Sequence, residues 1–509
     1  MRSINSIKNV IVSVVLSVVT ILFNFVTQSI FISTLGMEYS GLNNVFTSII
    51  SVLSIVELGI GSSIIYHLYK PIYENDILTI KSLMNFYKKA YRIIAIVVFV
   101  LGTIILPCLP WIVDVNLIKE NVYFLFFLYV IDSVSSYLLS YKRSIIYANQ
   151  KNRIIDLVHL LYVIVLNAIE IFILVFTKNF ILYLIIKIIF RILENVIIGL
   201  IADYLYPYLK DKKNIKKISK NIQNEIKKMV KGQLFHQIAS TIVISTDSML
   251  VSSFFGLKQA GIYANYTLIA NSAHSIISQI FSVLTASIGN LLVENNEEKS
   301  FYYYKLINYI NFLLYALSSI GMFFCIDDFI ILWLGDTKYI FPIFLVFVFS
   351  FNFFLQGMRK TIQVFAIAAG ICYENRFVPV LEAIINLIAS LLFLNIFGIV
   401  GIVLGTVVST FVLYFYGFPK YIYSPLFKKN KTVYIKEFLY SVIKYLFIFF
   451  IESIVIYSFN FLFDLNIFIE LICNFILCIL IFIVLILIID WKSDSRKEII
   501  QLLKTILKR

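Results

Sequence analysis

The chain contains apolar runs that no soluble fold can hide. The run from Val10 to Leu35 carries no charge, and the run IFIELICNFILCILIFIVLILII near the C-terminus carries a single one, Glu470. A bilayer core takes about 20 apolar residues per helix. In lipid, backbone N–H and C=O groups must be satisfied within the chain, which leaves helices or a closed barrel. The runs are continuous and lack the period-two alternation of barrel strands, so helices are the expectation. Overall composition agrees: 60% of residues are hydrophobic and 14% charged, where a soluble domain carries roughly 25% charge.

The same ruler predicts about 14 spans, near 10–35, 43–67, 88–112, 121–141, 154–177, 180–203, 233–256, 262–291, 305–334, 340–368, 377–396, 399–423, 436–460 and 465–490. Arg2 and Lys8 before the first run resemble a signal peptide. The run is too long for one, so an uncleaved first helix is expected. An even count puts both termini on one side, here assigned to the cytoplasm. Of the 43 Lys and Arg, only Lys119, Lys178, Lys258 and Lys338 then fall in outside loops, and Lys187, Arg191 and Lys444 inside helices. The rest collect on the inner side, as loops of membrane proteins require. The net charge of +14 is therefore a topology signal, and no nucleic-acid partner is implied. The lysine-rich inner segment 207–232 can lie near anionic lipid headgroups. Cys108, Cys325, Cys372, Cys473 and Cys478 are scattered, with no CxxC pair, so neither a disulfide framework nor a metal site is expected and they read as apolar filler.

An internal repeat divides the helices. LGMEYSGLNNVF (35–46) aligns with FGLKQAGIYANY (255–266) at an offset of 220, and QKNR (150–153) with YENR (373–376) at 223. Each pair follows the same helix of its half, which implies a parallel duplication about an axis along the membrane normal. The expected organisation is an N-lobe of helices one to six (1–206), the basic linker (207–232), a C-lobe of helices seven to twelve (233–425), two further helices (426–492) and a cytoplasmic tail (493–509).

These features resemble the multidrug/oligosaccharidyl-lipid/polysaccharide exporter superfamily, and within it the bacterial Wzx-type polysaccharide flippases. The carriers are FISTLGMEYSGLNNVFTSIISVLSIVELGIGSSI (31–64), its echo STDSMLVSSFFGLKQAGIYANY (245–266), and the six-plus-six-plus-two plan. The resemblance covers the whole chain. It implies an all-α, polytopic, MATE-like protein with two pseudo-symmetric six-helix lobes and two C-terminal helices. It also implies a transporter, not an enzyme, of the bacterial cytoplasmic membrane. That transporter would carry an undecaprenyl-diphosphate-linked oligosaccharide to the outer leaflet for capsule, O-antigen or related polysaccharide synthesis. Partners would be the lipid-linked oligosaccharide, membrane lipids and other polysaccharide assembly proteins. No cofactor is expected, and a proton or a sodium gradient is open as the driving force.

Charge inside a membrane is costly and normally faces a cavity or a partner. Lys187 and Arg191 are four residues apart on the sixth helix and share a face, with Glu194 placed to pair Arg191. Two cations suit a diphosphate; an internal salt bridge that lets the helix pack is the plain alternative. Asp247 is a candidate for binding a coupling proton or sodium, or a sugar hydroxyl, with a hydrogen bond to neighbouring Ser or Thr as the plain alternative, and Glu57 and Asp132 are similar candidates for ion coupling. Asp156 and His159, with Glu170 deeper in the same helix, form either a relay or an interfacial polar pair. His274 stands among Asn265, Asn271 and Gln279 on a polar eighth helix, suited to sugar hydroxyls. Glu382, Lys444 and Glu452 appear isolated. Gly59, Gly61, Gly398, Gly401 and Gly405 suit close helix packing.

A glycan polymerase or ligase would need substantial outer loops, and these are a few residues long. A multidrug antiporter of the same superfamily commonly has 12 helices and a carboxylate in the first, where this chain offers only Asn24 and Gln28. A non-transporting scaffold of a glycan assembly complex is the third alternative.

Overall fold

The computed structural model describes residues 2–57, 60–211, 218–294, 296–371, 375–494, 496–498 and 501. Gly59, Cys372, half of the YENR echo, several linker lysines and the end of the basic tail lie outside these. The described residues are helical with short connections, and contain no strand.

Packing divides the chain into two compact units, Met1–Ala264 and Asn265–Arg509. The first holds α1 (Arg2–Leu35), α2 (Met37–Leu53), α3 (Ile60–Tyr73), α4 (Ile77–Ile105), α5 (Val122–Tyr137), α6 (Ser140–Ala148), α7 (Asn152–Thr177), α8 (Phe180–Leu205) and the first part of α9 (Lys220–Val293). The second holds the remainder of α9, then α10 (Glu297–Leu334), α11 (Ile343–Met358), α12 (Lys360–Ala369), α13 (Phe377–Phe397), α14 (Ile399–Val412), α15 (Ser424–Phe427), α16 (Lys431–Leu462) and α17 (Ile467–Ile489). Asparagines start many of them. Asn121, Asn179 and Asn296 accept from the N–H three residues on, at 3.1, 3.0 and 2.9 Å, satisfying donors that have no partner within the helix.

By length and composition, ten helices among the described residues can cross a membrane, or eleven if the bent α9 is one span. The expected count of about 14 is thus not reproduced, and the shortfall has physical causes. In the second expected span the α-helix gives way to a 3₁₀ turn at Ser54–Glu57. The sixth, α8, is continuous but carries Lys187, Arg191 and Glu194. The seventh and eighth meet at Gly256, whose φ of 84° and ψ of 170° are not helical. Large apolar side chains such as Phe172, Leu200, Ile443 and Phe450 are exposed, while Asn195, Asn311, Ser350, Asn386 and Glu452 are buried. That inversion is what a lipid solvent produces.

The repeat is written in the backbone. Gly36 and Gly256 take φ 101° and 84°, Gln150 and Gly370 take 58° and 71°, and Lys178 and Gly398 take 51° and 61°. The members of every pair stand at the offset that relates Gly36 to Gly256. At the second corner the backbone therefore follows that offset, and not the slightly longer one suggested by matching QKNR to YENR. The fourth expected span breaks between α5 and α6, with Leu138 extended and Leu139 left-handed. The tenth breaks between α11 and α12 at Arg359, which is the repeat equivalent of Leu139 at the same offset.

Candidate functional site

The break between α5 and α6 frees carbonyl oxygens of the preceding turn. Asn195 of α8 reaches them: its Nδ2 donates to Ser135 O at 3.0 Å and to Ser136 O at 3.3 Å. The second unit repeats the device with a different side chain. There the Tyr414 hydroxyl donates to Leu355 O at 2.6 Å, and Leu355 is the repeat equivalent of Ser135. An interrupted helix at membrane depth is tolerated only when its freed groups are satisfied in this way.

The interrupted second and fourth spans meet at a cavity of about 290 Å³. Glu57, Gly61 and Ile65 line it from the second span, Tyr91 from α4, and Ser136, Ser140, Arg143, Ser144 and Tyr147 from the fourth, with Arg191 and Asn195 from α8. Arg143 is its central cation. Its Nη2 donates to Asn195 Oδ1 at 2.9 Å and lies 3.2 Å from Glu194. His159 Nδ1 meets the same carboxylate at 2.9 Å. Glu194 is fully buried, so the arginine is its necessary counter-charge.

Two expected pairings are corrected here. Arg191 does not pair with Glu194; it faces Asp132 of α5 at 3.5 Å, while Glu194 turns to Arg143 and His159. Helical spacing put Arg191 and Glu194 close, but helices α6 and α7 offered Glu194 better partners. His159 therefore meets Glu194, at hydrogen-bond distance. The Arg191–Asp132 contact is loose: neither Arg191 Nε nor Asp132 Oδ1 completes a hydrogen bond within the described residues. The Arg191 guanidinium lies 5.6 Å over the Tyr162 ring, and Lys187 Nζ 5.7 Å over Tyr129. Glu170, buried on α7, interacts electrostatically with Lys187, Arg191 and Asp132.

The three cations Arg143, Lys187 and Arg191 are thus accompanied by four carboxyl groups, Glu57, Asp132, Glu170 and Glu194. The carboxyl groups thus balance the cations within the site. Among the described residues no group of His, Cys, Asp and Glu is arranged to hold a metal ion.

No protein-family model matches the chain, and no curated protein matches it in sequence at a significant level. Solved structures do match in fold. The lipid II flippase MurJ in an inward closed conformation superposes with a TM-score of 0.63 at 16% identity, covering 96% of this chain and 99% of that one. An inward-facing multidrug resistance MATE family transporter of the MOP superfamily gives 0.61 at 14% identity, covering 78% and 93%. The Vibrio cholerae MATE transporter VcmN, as a point mutant, gives 0.58 at 16%, covering 81% and 94%. The chain has the MATE–MurJ fold.

Within that fold, the remaining sequence candidates fall in separate places. Asp247, buried on α9, accepts from the Tyr263 hydroxyl at 3.3 Å. The eighth-helix residues belong to the second unit. Asn265 is fully buried, Asn271 is exposed, and Gln279 is half-buried. His274 Nδ1 meets the Tyr315 hydroxyl at 2.9 Å. At the second unit's own break, Arg359 pairs with buried Glu382 at 3.1 Å and donates to Thr410 Oγ1 at 3.0 Å.

The carboxylates and lysine that appeared isolated have partners after all. Glu382 has Arg359, Lys444 has Asp490 at 2.9 Å, and Glu452 accepts from the Cys478 thiol at 3.0 Å. Sequence reasoning placed Arg143 and Arg359 in inner loops with their basic neighbours. No proline or glycine marks the break at Leu138 and Leu139, so nothing local showed that Arg143 turns into a cavity. Gly357, next to the second break, is the one such signal.

Proposed function

We propose that the protein is a flippase of the bacterial cytoplasmic membrane. It moves an undecaprenyl-diphosphate-linked oligosaccharide from the inner to the outer leaflet by alternating access, for synthesis of an envelope polysaccharide. The observation that carries this reading is the extent of the fold match. The lipid II flippase MurJ covers 96% of the chain, whereas the MATE transporters cover 78% to 87%.

The cavity supports the same cargo class. Arg143 and Arg191 offer planar forks suited to phosphate oxygens, Lys187 adds a nearby point charge, and Ser136, Ser140, Ser144 and Asn195 can exchange hydrogen bonds with sugar hydroxyls. The diphosphate displaces Asp132 from Arg191 as it binds. In this reading the chain performs no covalent chemistry.

The test is reconstitution into vesicles carrying an undecaprenyl-diphosphate oligosaccharide in both leaflets. Protein-dependent loss of protection of the inner-leaflet pool from a membrane-impermeant glycosidase is expected. Ion-coupled multidrug export, favoured by the MATE likeness, is the second reading. Drug extrusion with no lipid movement would replace the first by the second.

A further inference from the structure

The helices α16 and α17 pack on α10 with buried polar groups between them: Lys444 and Glu452 on α16, Asn474 and Cys478 on α17, and Asp490 just past its end. The Lys444–Asp490 pair is complete: Lys444 Nζ is 2.9 Å from Asp490 Oδ2, and the Tyr309 hydroxyl of α10 donates to the same oxygen at 2.8 Å. Glu452 is different. It is fully buried, and its Oε2 accepts from the Cys478 thiol at 3.0 Å. Its Oε1 has no hydrogen-bond partner among the described residues.

The groups facing Glu452 supply no positive charge. From α17 it meets Cys478. From α10, Gly321 lies against Cys478, with Cys325 one turn further on. α11 contributes phenylalanines: Phe347 lies 5.0 Å from Phe449, which precedes Glu452 by one turn of α16, and α11 holds no titratable residue. Two turns back, the Tyr445 hydroxyl is shared with Ser319 at 2.8 Å. Further along, Tyr457 of α16 approaches Asp327 of α10, and Asp328 approaches Asn474 and Glu470 of α17, all of them neutral or acidic. Tyr414 and Tyr423 pack near the start of α16, against Phe438 and Tyr434, and the exposed Lys420 lies over Tyr416 and Tyr421. An ionised carboxylate in such surroundings is strongly disfavoured, and a neutral acid far less so.

We propose that Glu452 is a reversible proton-binding site, protonated in this packing, and that release of its proton loosens α16 and α17 from α10. The O–H bond of the carboxyl breaks, its electron pair stays on Glu452, and the proton passes to water admitted as the helices part. Resting on the flippase reading, this deepens it. The C-terminal pair becomes a place where a proton gradient acts on the transport cycle, apart from the lobe carboxylates.

The thiol beside the site supplies the readout. In a full-length chain with Cys108, Cys325, Cys372 and Cys473 replaced by Ala, the rate of Cys478 modification by N-ethylmaleimide is followed against pH in vesicles. Thiolate formation raises the rate with pH in any background, so the comparison is with the same chain carrying Glu452→Gln. Between about pH 6 and about pH 9 the ratio of the two rates is expected to climb on the order of tenfold, the factor carried by one unit of coupled titration. A constant ratio overturns the proposal.

Should the Gln variant fail to fold, infrared spectra of the Glu452-containing protein decide the matter. A protonated-carboxyl band is expected that moves to higher frequency in Cys478→Ala, because the thiol no longer donates to it. Absence of any band responding to that substitution also overturns the site. Neither readout involves lipid transport. A rising ratio with no lipid movement leaves the site and removes the flippase reading, and lipid movement with a constant ratio does the reverse.

Discussion

Gly41 and Gly261 meet in a reciprocal contact. A methyl group added to Gly41 would overlap the carbonyl of Leu257 and crowd the backbone nitrogen of Gly261; one added to Gly261 would overlap the carbonyl of Met37. Gly41 and Gly261 are repeat equivalents, as are Met37 and Leu257, both pairs at the offset of Gly36 from Gly256. The contact is therefore isologous in the sense of a two-fold dimer, made within one chain between the first turns that follow the repeated glycines Gly36 and Gly256.

Substituting either glycine at this contact forces two backbones apart. Gly41→Ala and Gly261→Ala are each expected to cost about 1–3 kcal/mol, read as a lowered thermal unfolding midpoint in detergent. Gly289 has nothing within contact range of an added methyl, so Gly289→Ala serves as the neutral or slightly stabilising control.

The freed carbonyls of the interrupted spans make a second, paired prediction. Asn195→Ala removes the Nδ2 donor from Ser135 O and Ser136 O, which keep Leu138 N–H and the Ser140 hydroxyl, and Tyr414→Phe removes the hydroxyl donor from Leu355 O. Each is expected to cost about 0.5–1.5 kcal/mol, the net worth of one hydrogen bond. Equal losses in chemical denaturation would show that two different side chains perform one task.

Removing Arg143 strands a buried carboxylate. Arg143→Gln is expected to destabilise by about 3 kcal/mol. Adding Glu194→Gln is expected to recover a good part of that, because the uncompensated charge disappears with it. A double-mutant cycle by thermal unfolding measures the recovery. Strictly additive losses would mean that the ion pair is not what holds Glu194.

The loose pair at the cavity separates stability from function. Lys187→Gln with Arg191→Gln is expected to abolish lipid movement while the protein still inserts and folds. Asp132→Asn is expected to tighten binding of the anionic lipid by about 1 kcal/mol, since Arg191 no longer has to be taken from a carboxylate. Binding is measured by titrating the lipid in detergent. Unchanged transport by a well-folded double variant would remove these residues from the cargo path.

Much of the fold was legible along the chain. Apolar run length specifies helices in lipid because one helix must satisfy its own backbone there, and that is a property of local sequence. The duplication was legible from Gly36 and Gly256, whose positive φ with ψ of 170° is open only to glycine. The corners at Gln150 and Lys178 were hidden, because a non-glycine residue takes positive φ there.

The tertiary structure decided the partners. Helical spacing put Glu194 beside Arg191, yet the carboxylate turned to Arg143, which sequence had placed in a loop. Glu382, Lys444 and Glu452 seemed alone, and each met its partner across a helix interface. The sequence by itself determined that the chain is a duplicated set of membrane helices, because solvent and backbone act residue by residue. Only the tertiary structure decided which charges neutralise one another and which cation faces the cavity. Electrostatic pairing at ion-pair distance depends on how separate helices rotate and break, and no spacing along a single helix records that.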